Sequence, residues 1–184
     1  MDKVISVYKR KVKYLRLELD STGLKIIVPE NQSLNIEAVL DKYKNWIDKK
    51  VAKLNELKES SKNLVLYDHQ NFENLVNLYV EEIANFLNVR PNKVLFRKMK
   101  VRWGSCHHQK KTIILNKLLK FLPEELIKYV VLHEMVHLIV PNHNKEFWLL
   151  IKRVDKNFKE KEKLLSAYRW KLLNENVFAN KTKI

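Results

Sequence analysis

The 184-residue chain is long enough for one domain with a real core, or for one domain with a small appendage. Its 46% hydrophobic and 31% charged content is that of an ordinary globular protein, with no apolar run long enough to span a bilayer and no glycine-rich phosphate loop, since Gly23 and Gly104 are its only glycines. The net charge of +15 favours anionic partners over cationic ones.

Met1-Asp2-Lys3-Val4 lacks the apolar core of a signal peptide, and the lone cysteine, Cys106, has no partner for an internal disulfide. Both features lead us to expect a cytoplasmic protein with no membrane partner.

Along the chain, Leu15, Leu17 and Leu19 alternate with polar neighbours, as do Leu24, Ile26 and Val28. Period two predicts two strands, with a turn at Asp20–Gly23 and a third strand over Val4–Tyr8, a β-meander closed by Pro29. From Ser33 to Lys58 the apolar spacing changes to three and four (Val39, Tyr43, Trp46, Ile47, Val51, Leu54, Leu57). That predicts one long helix capped by Ser33 or Asn35, which we expect to brace the sheet. A second helix is predicted over Gln70–Leu87, ended by the segment containing Pro91.

Two strands follow, Val94–Arg102 and Thr112–Asn116, joined by a polar loop over Trp103–Lys111. Pro123 suits the first turn of a helix, Glu124 and Glu125 suit its positive end, and Pro141 stops it after Val140. Two more helices are predicted near Asn144–Val154 and Lys159–Leu173, and Asn180–Ile184 reads as a frayed tail. The resulting division is residues 1–62 for the N-terminal strands and long helix, 63–178 for the main domain, and 179–184 for the tail.

The segment that carries chemistry is His133-Glu134-Met135-Val136-His137. Four residues advance a helix by about 400°, so the two histidines share one face, where they can chelate one metal ion. The surrounding residues are apolar on nearly every side, and burying two imidazoles and a carboxylate among them is costly unless a cation pairs with them. Catalytic zinc takes three protein ligands and leaves a fourth position for water. His143, just past Pro141 and Asn142, is the preferred third ligand, with Glu160 or Glu162 as the alternative. One Zn2+ ion is thus the expected cofactor, and Glu134 the expected general base acting on a zinc-activated water. A purely structural zinc site with Cys106 as fourth ligand would leave Glu134 without a use.

These residues also form a wider pattern. Arg102-Trp103-Gly104-Ser105-Cys106, Ile114-Leu115-Asn116, Leu122-Pro123, Tyr129-Val130-Val131-Leu132-His133-Glu134, Asn142-His143 and Phe147-Trp148 together resemble the YgjP-like metallopeptidase family. That family is also called the domain of unknown function 45 group, among the SprT-like or gluzincin-like zinc hydrolases. The resemblance implies an α+β, zincin-like catalytic domain with a small mixed sheet packed on the metal-binding helix. It also implies His133, His137 and His143 as ligands and Glu134 as catalytic. His107-His108-Gln109-Lys110-Lys111 is more basic than the family's pattern.

Other residues admit two readings each. Arg102 and Trp103 either meet substrate at a strand edge or respectively pair with a helix carboxylate and pack. Asn116 either orients a ligand histidine or caps a turn. Cys106 beside His107 and His108 makes a poor nucleophile, because adjacent loop residues rarely face one another. Phe147 and Trp148 are expected to pack the helix after His143 and fix that ligand.

No acidic residue occurs over 83–123, while Arg90, Lys93, Arg97, Lys98, Lys100, Arg102, Lys110, Lys111, Lys117 and Lys120 lie there. That stretch is either a solvated face or an anion site. Three functions follow: peptide-bond hydrolysis, metal-dependent hydrolysis of nucleotide phosphoanhydrides, or nucleic-acid binding through the basic stretch. The corresponding partners are a peptide, an anionic small molecule, or nucleic acid.

Overall fold

The computed structural model describes residues 4–174. They divide into two compact units, one running up to Lys62 and resumed at Arg169, the other Asn63–Tyr168. The fold is α+β, with a small mixed sheet in each unit. The expected tail lies outside the described residues. No helix among the described residues is long and apolar enough to cross a membrane.

In the first unit, β1 (Ile5–Arg10), β2 (Arg16–Asp20) and β3 (Gly23–Pro29) form a sheet of order β1-β3-β2. This is not the meander the alternation suggested, because β1 runs parallel to β3 while β2 runs antiparallel to it. The reason lies in β3, whose Leu24, Ile26, Ile27 and Val28 are all buried. A strand apolar on both faces takes the centre, and the more polar β1 and β2 flank it. At the β2–β3 turn Gly23 has φ of +131°, a backbone region closed to other residues in practice.

The expected long helix is two: α1 (Ile36–Lys42), capped by the Asn35 side chain accepting from the Ala38 N–H, and α2 (Lys44–Ser61). The break falls at Tyr43, with φ −104° and ψ 11°. No proline or glycine marks it, and the apolar spacing runs through it because Val39, Tyr43, Trp46 and Ile47 all join one cluster with Leu24, Ile26 and Val28.

The second unit begins with α3 (Phe72–Leu87), ended by Asn88 in the left-handed region at φ 52°. Then come β4 (Lys93–Arg97), β5 (Gly104–His107) and β6 (Thr112–Asn116), in the order β4-β6-β5. β4 is parallel and β5 antiparallel to β6, whose Ile113 and Leu115 are fully buried. The strand expected to reach Arg102 stops at Arg97, where its ladder with β6 ends opposite Asn116. Part of the expected loop is instead β5, an edge strand. Its polar Ser105 and His107 concealed it, since an edge strand keeps one side in solvent.

A 3₁₀ turn over Lys117–Phe121 leads to α4 (Glu124–Val136), followed by α5 (Lys145–Val154) and α6 (Phe158–Asn174). α4 packs on α3 and lies against β5 and β6.

Candidate metal centre

α4 starts after Pro123, which holds the N-cap position with φ −61°, and carries Glu124 and Glu125 in its first turn. Leu126, Ile127, Val130, Val131 and Met135 are nearly or fully buried, so the helix is enclosed as its composition predicted. It ends at Val136, one turn earlier than expected. Pro141 supplies no N–H and disfavours helical backbone at Val140. The chain instead tightens, with Leu138 N–H donating to the Met135 carbonyl (3.0 Å) and Val140 N–H to that of Val136 (2.9 Å). This turn sends the chain back, and Asn144 starts α5 by accepting the Phe147 N–H at 3.0 Å.

The turn brings three imidazoles together. The ligand-capable atoms of His133, His137 and His143 all lie within 4.8 Å of one another. The His143 Nε2 is 2.9 Å from that of His133 and 3.2 Å from that of His137. Phe147, fully buried, lies against all three rings at centroid distances of 4.9, 4.5 and 4.7 Å. Trp148 stacks on His143 at 5.7 Å. Both aromatic residues therefore pack where the sequence predicted.

The imidazole hydrogen bonds indicate which nitrogens are free. His137 Nδ1 is 3.1 Å from the Val140 carbonyl, an acceptor only, so Nδ1 carries the proton and Nε2 bears the lone pair. Burial, then the neighbouring His137 and His143, hold the pKa of His133 down at about 3. Burial also lowers that of His137, against the hydrogen bond it donates to the Val140 carbonyl. Neutral imidazoles are the form that ligates metal.

Glu134 is only 5% exposed and points at β5. Burial raises its pKa to about 8, opposed by the positive charge of Arg102. A Cβ on Gly104 would sit 2.5 Å from Glu134 Oε1 and 2.7 Å from its Cγ, so the strand backbone abuts the carboxyl side chain. The sequence reading overlooked this role of Gly104, although a lone glycine inside a strand signals close approach. It also overlooked His108, whose Nδ1 lies 3.1 Å from the carbonyl of His137.

The remaining candidates separate. Asn116 uses its full capacity on backbone: Oδ1 accepts from Met99 (3.3 Å) and Leu118 (3.1 Å), and Nδ2 donates to the carbonyls of Met99 and Arg102 (2.7 Å each). It caps a turn and holds the 98–103 loop, with its amide engaged by backbone and not by a histidine. Trp103 donates its Nε1–H to the Leu165 carbonyl at 3.2 Å, a packing role. Exposed Arg102 acts electrostatically on Glu134. Cys106 is half-buried, and burial followed by the charge of Glu134 pushes its thiol up to about 11, which leaves no thiolate for nucleophilic chemistry. Glu162, the alternative third ligand, does not enter the cluster; its Oε1 lies 3.7 Å from Nδ1 of His133, on the other side of that ring from the converging Nε2 atoms. Glu160 is exposed.

Three convergent imidazoles beside a buried carboxyl form a candidate hydrolytic metal centre. Comparison with known proteins is more specific. Residues 66–168 match the YgjP-like metallopeptidase domain, and the chain belongs to that family. Among solved structures, it is similar to the metallopeptidase zymogen abylysin of Pyrococcus abyssi, at 25% identity and TM-score 0.46 over 49% of this chain and 90% of that one. It is also similar to the metallopeptidase zymogen jannalysin of Methanocaldococcus jannaschii, at 25% identity and TM-score 0.43 over 58% of this chain and 98% of that one. No curated protein sequence matches it.

Proposed function

We propose that the protein is a zinc metallopeptidase of the HExxH type, with His133, His137 and His143 holding one Zn2+ ion and Glu134 as general base. The observation that carries this reading is the convergence of the three Nε2 atoms, 2.9 and 3.2 Å apart along two edges. Three nitrogens about 2.0–2.1 Å from a tetrahedral ion stand about 3.3 Å apart, so the donor set fits with a small relaxation. Histidine nitrogens without a thiolate, and three rather than four of them, suit a catalytic zinc with one position open.

Bound there, zinc supplies Lewis acidity, lowering the pKa of a water and polarising a carbonyl. The residues of the chain do the rest. Glu134 accepts the proton of the attacking water and passes it to the leaving amine. Its raised pKa reflects burial; a cation beside it would favour the carboxylate, the form that can accept a proton. Gly104 keeps space for that carboxylate, and Phe147 keeps the three rings from rotating. Arg102 is placed to favour the ionised Glu134.

The test is a panel of casein, short peptides and nucleoside triphosphates, assayed with zinc for the wild type and Glu134→Gln. We expect peptide hydrolysis, lowered in the variant by roughly 10²–10⁴-fold while metal content stays at one ion. Glu134-dependent cleavage of triphosphates but not peptides would make the protein a phosphoanhydride hydrolase. Full retention of zinc by His137→Ala would remove the basis of the metal centre.

A further inference from the structure

Outside the converging nitrogens, the back of His133 faces a second arrangement. Tyr129 precedes His133 by one helical turn on α4, and its ring meets the imidazole edge-to-face at 6.2 Å. Its hydroxyl donates to Oε1 of Glu162 on α6 at 2.6 Å. The same oxygen stands 3.7 Å from Nδ1 of His133.

We propose that Glu162, held by Tyr129, is a positioning residue for His133 that sets the metal affinity of the site. The inference rests on the reading of His133 as a metal ligand. His133 offers Nε2 to the cluster, so its proton resides on Nδ1, and Nδ1 faces a carboxylate. A carboxylate there fixes the tautomer, orients the ring and strengthens Nε2 as a donor.

The gap of 3.7 Å exceeds a hydrogen bond, and a small rotation of the Glu162 side chain, itself 45% exposed, closes it. Tyr129 restrains that rotation from one side. It is 1% exposed, and burial and then Glu162 raise its pKa, so the hydroxyl remains a donor. Lys161, next to Glu162, is engaged with Asp155 at 2.6 Å and does not compete for the carboxylate. Glu162 is therefore tied to the site from behind a ligand and is not a ligand itself.

The experiment measures zinc affinity by competition with a chromophoric chelator, independently of activity. The proteins are the wild type, Glu162→Ala, Glu162→Gln, Tyr129→Phe and, as control, Glu160→Gln. Glu162→Ala is expected to weaken zinc binding about 10–100-fold. Glu162→Gln should fall between it and the wild type, because the amide oxygen still accepts from Nδ1–H but brings no charge. Tyr129→Phe should lose less than Glu162→Ala, and Glu160→Gln nothing.

Cobalt-substituted Glu162→Ala should keep tetrahedral visible bands, since no ligand has been removed. The metal-free variants should melt close to the wild type; if Glu162→Ala does not fold, Glu162→Gln carries the test. Wild-type affinity in both Glu162 variants, or loss of the tetrahedral bands in Glu162→Ala, overturns the proposal. A wild-type protein that binds no zinc overturns the metal centre with it.

Discussion

Gly104 and Glu134 constrain each other, and the strongest residue-scale prediction concerns the glycine. A methyl group at residue 104 would lie 2.5–2.8 Å from three atoms of the Glu134 side chain. Glu134 is buried, at 5% exposure. Gly104→Ala should therefore displace the carboxylate by the order of an ångström and lower kcat/KM by roughly 10²-fold. It should cost about 1–3 kcal/mol of stability through overpacking while leaving the histidines and their metal in place. Kinetics, chemical denaturation and metal analysis on one preparation check all three; wild-type turnover would show that the contact does not position Glu134. The ligand residues themselves were legible as residues, since a spacing of four on an apolar helix is a local pattern. The contact between Gly104 and Glu134 joins positions thirty apart in sequence, and no local pattern reports it.

Among the secondary-structure elements, the ending of α4 and the start of α5 decide whether three histidines meet. Helix α4 stops at Val136, the chain turns through Pro141, and α5 starts at Lys145 with Asn144 as its cap. His143 lies immediately before that cap, and Phe147, which donates the cap hydrogen bond through its N–H, supports all three rings. Asn144→Ala should lower stability by about 1 kcal/mol, the usual cost of a lost cap. It should also weaken zinc binding several-fold, because the first turn of α5 then frays beside a ligand. Thermal melting with and without zinc checks this, and an unchanged melting temperature in both conditions would count against the cap. Sequence periodicity located α3, α4, α5 and α6, but it carried the strand β4 past Arg97 and misjudged two further features. It extended α4 through a tightened turn whose residues, Leu138, Ile139 and Val140, are as apolar as the helix. It also missed β5, whose alternation is too short and polar to show.

In the molecule as a whole, burial of ionisable groups around the centre sets a pH dependence for the metal-free protein. His133 is held at about 3 against an ordinary 6.5, so between those values the unfolded chain binds the extra proton and stability falls as pH drops. Glu134 is held at about 8 against 4.5, so between those values the folded chain binds the extra proton and stability falls as pH rises. The two slopes, each up to roughly 1.4 kcal/mol per pH unit, oppose one another from 4.5 to 6.5. Below 6.5 the lowered pKa of His137 adds to the His133 slope, so chelator-treated protein should lose stability towards acid and should also decline from 6.5 to 8, where Glu134 alone acts. Glu134→Gln should abolish the alkaline decline. A decline of equal size in the variant would mean that another group causes it. The positive charge is a property of the same scale: residues 83–123 hold ten basic residues and no acidic one.

What the sequence determined by itself was everything written in short-range pattern. The α+β alternation of periods, the buried helix with His133, Glu134 and His137, and the candidate third ligand were all readable, because helix and strand geometry repeat within a few residues. Only the tertiary structure decided which distant groups touch. It put β3 at the centre of its sheet, turned Asn116 toward the 98–103 loop, set Gly104 against Glu134 and brought Glu162 behind His133. Each of those is a packing result, in which burial of apolar surface and satisfaction of buried polar groups choose among arrangements that the local pattern leaves equal.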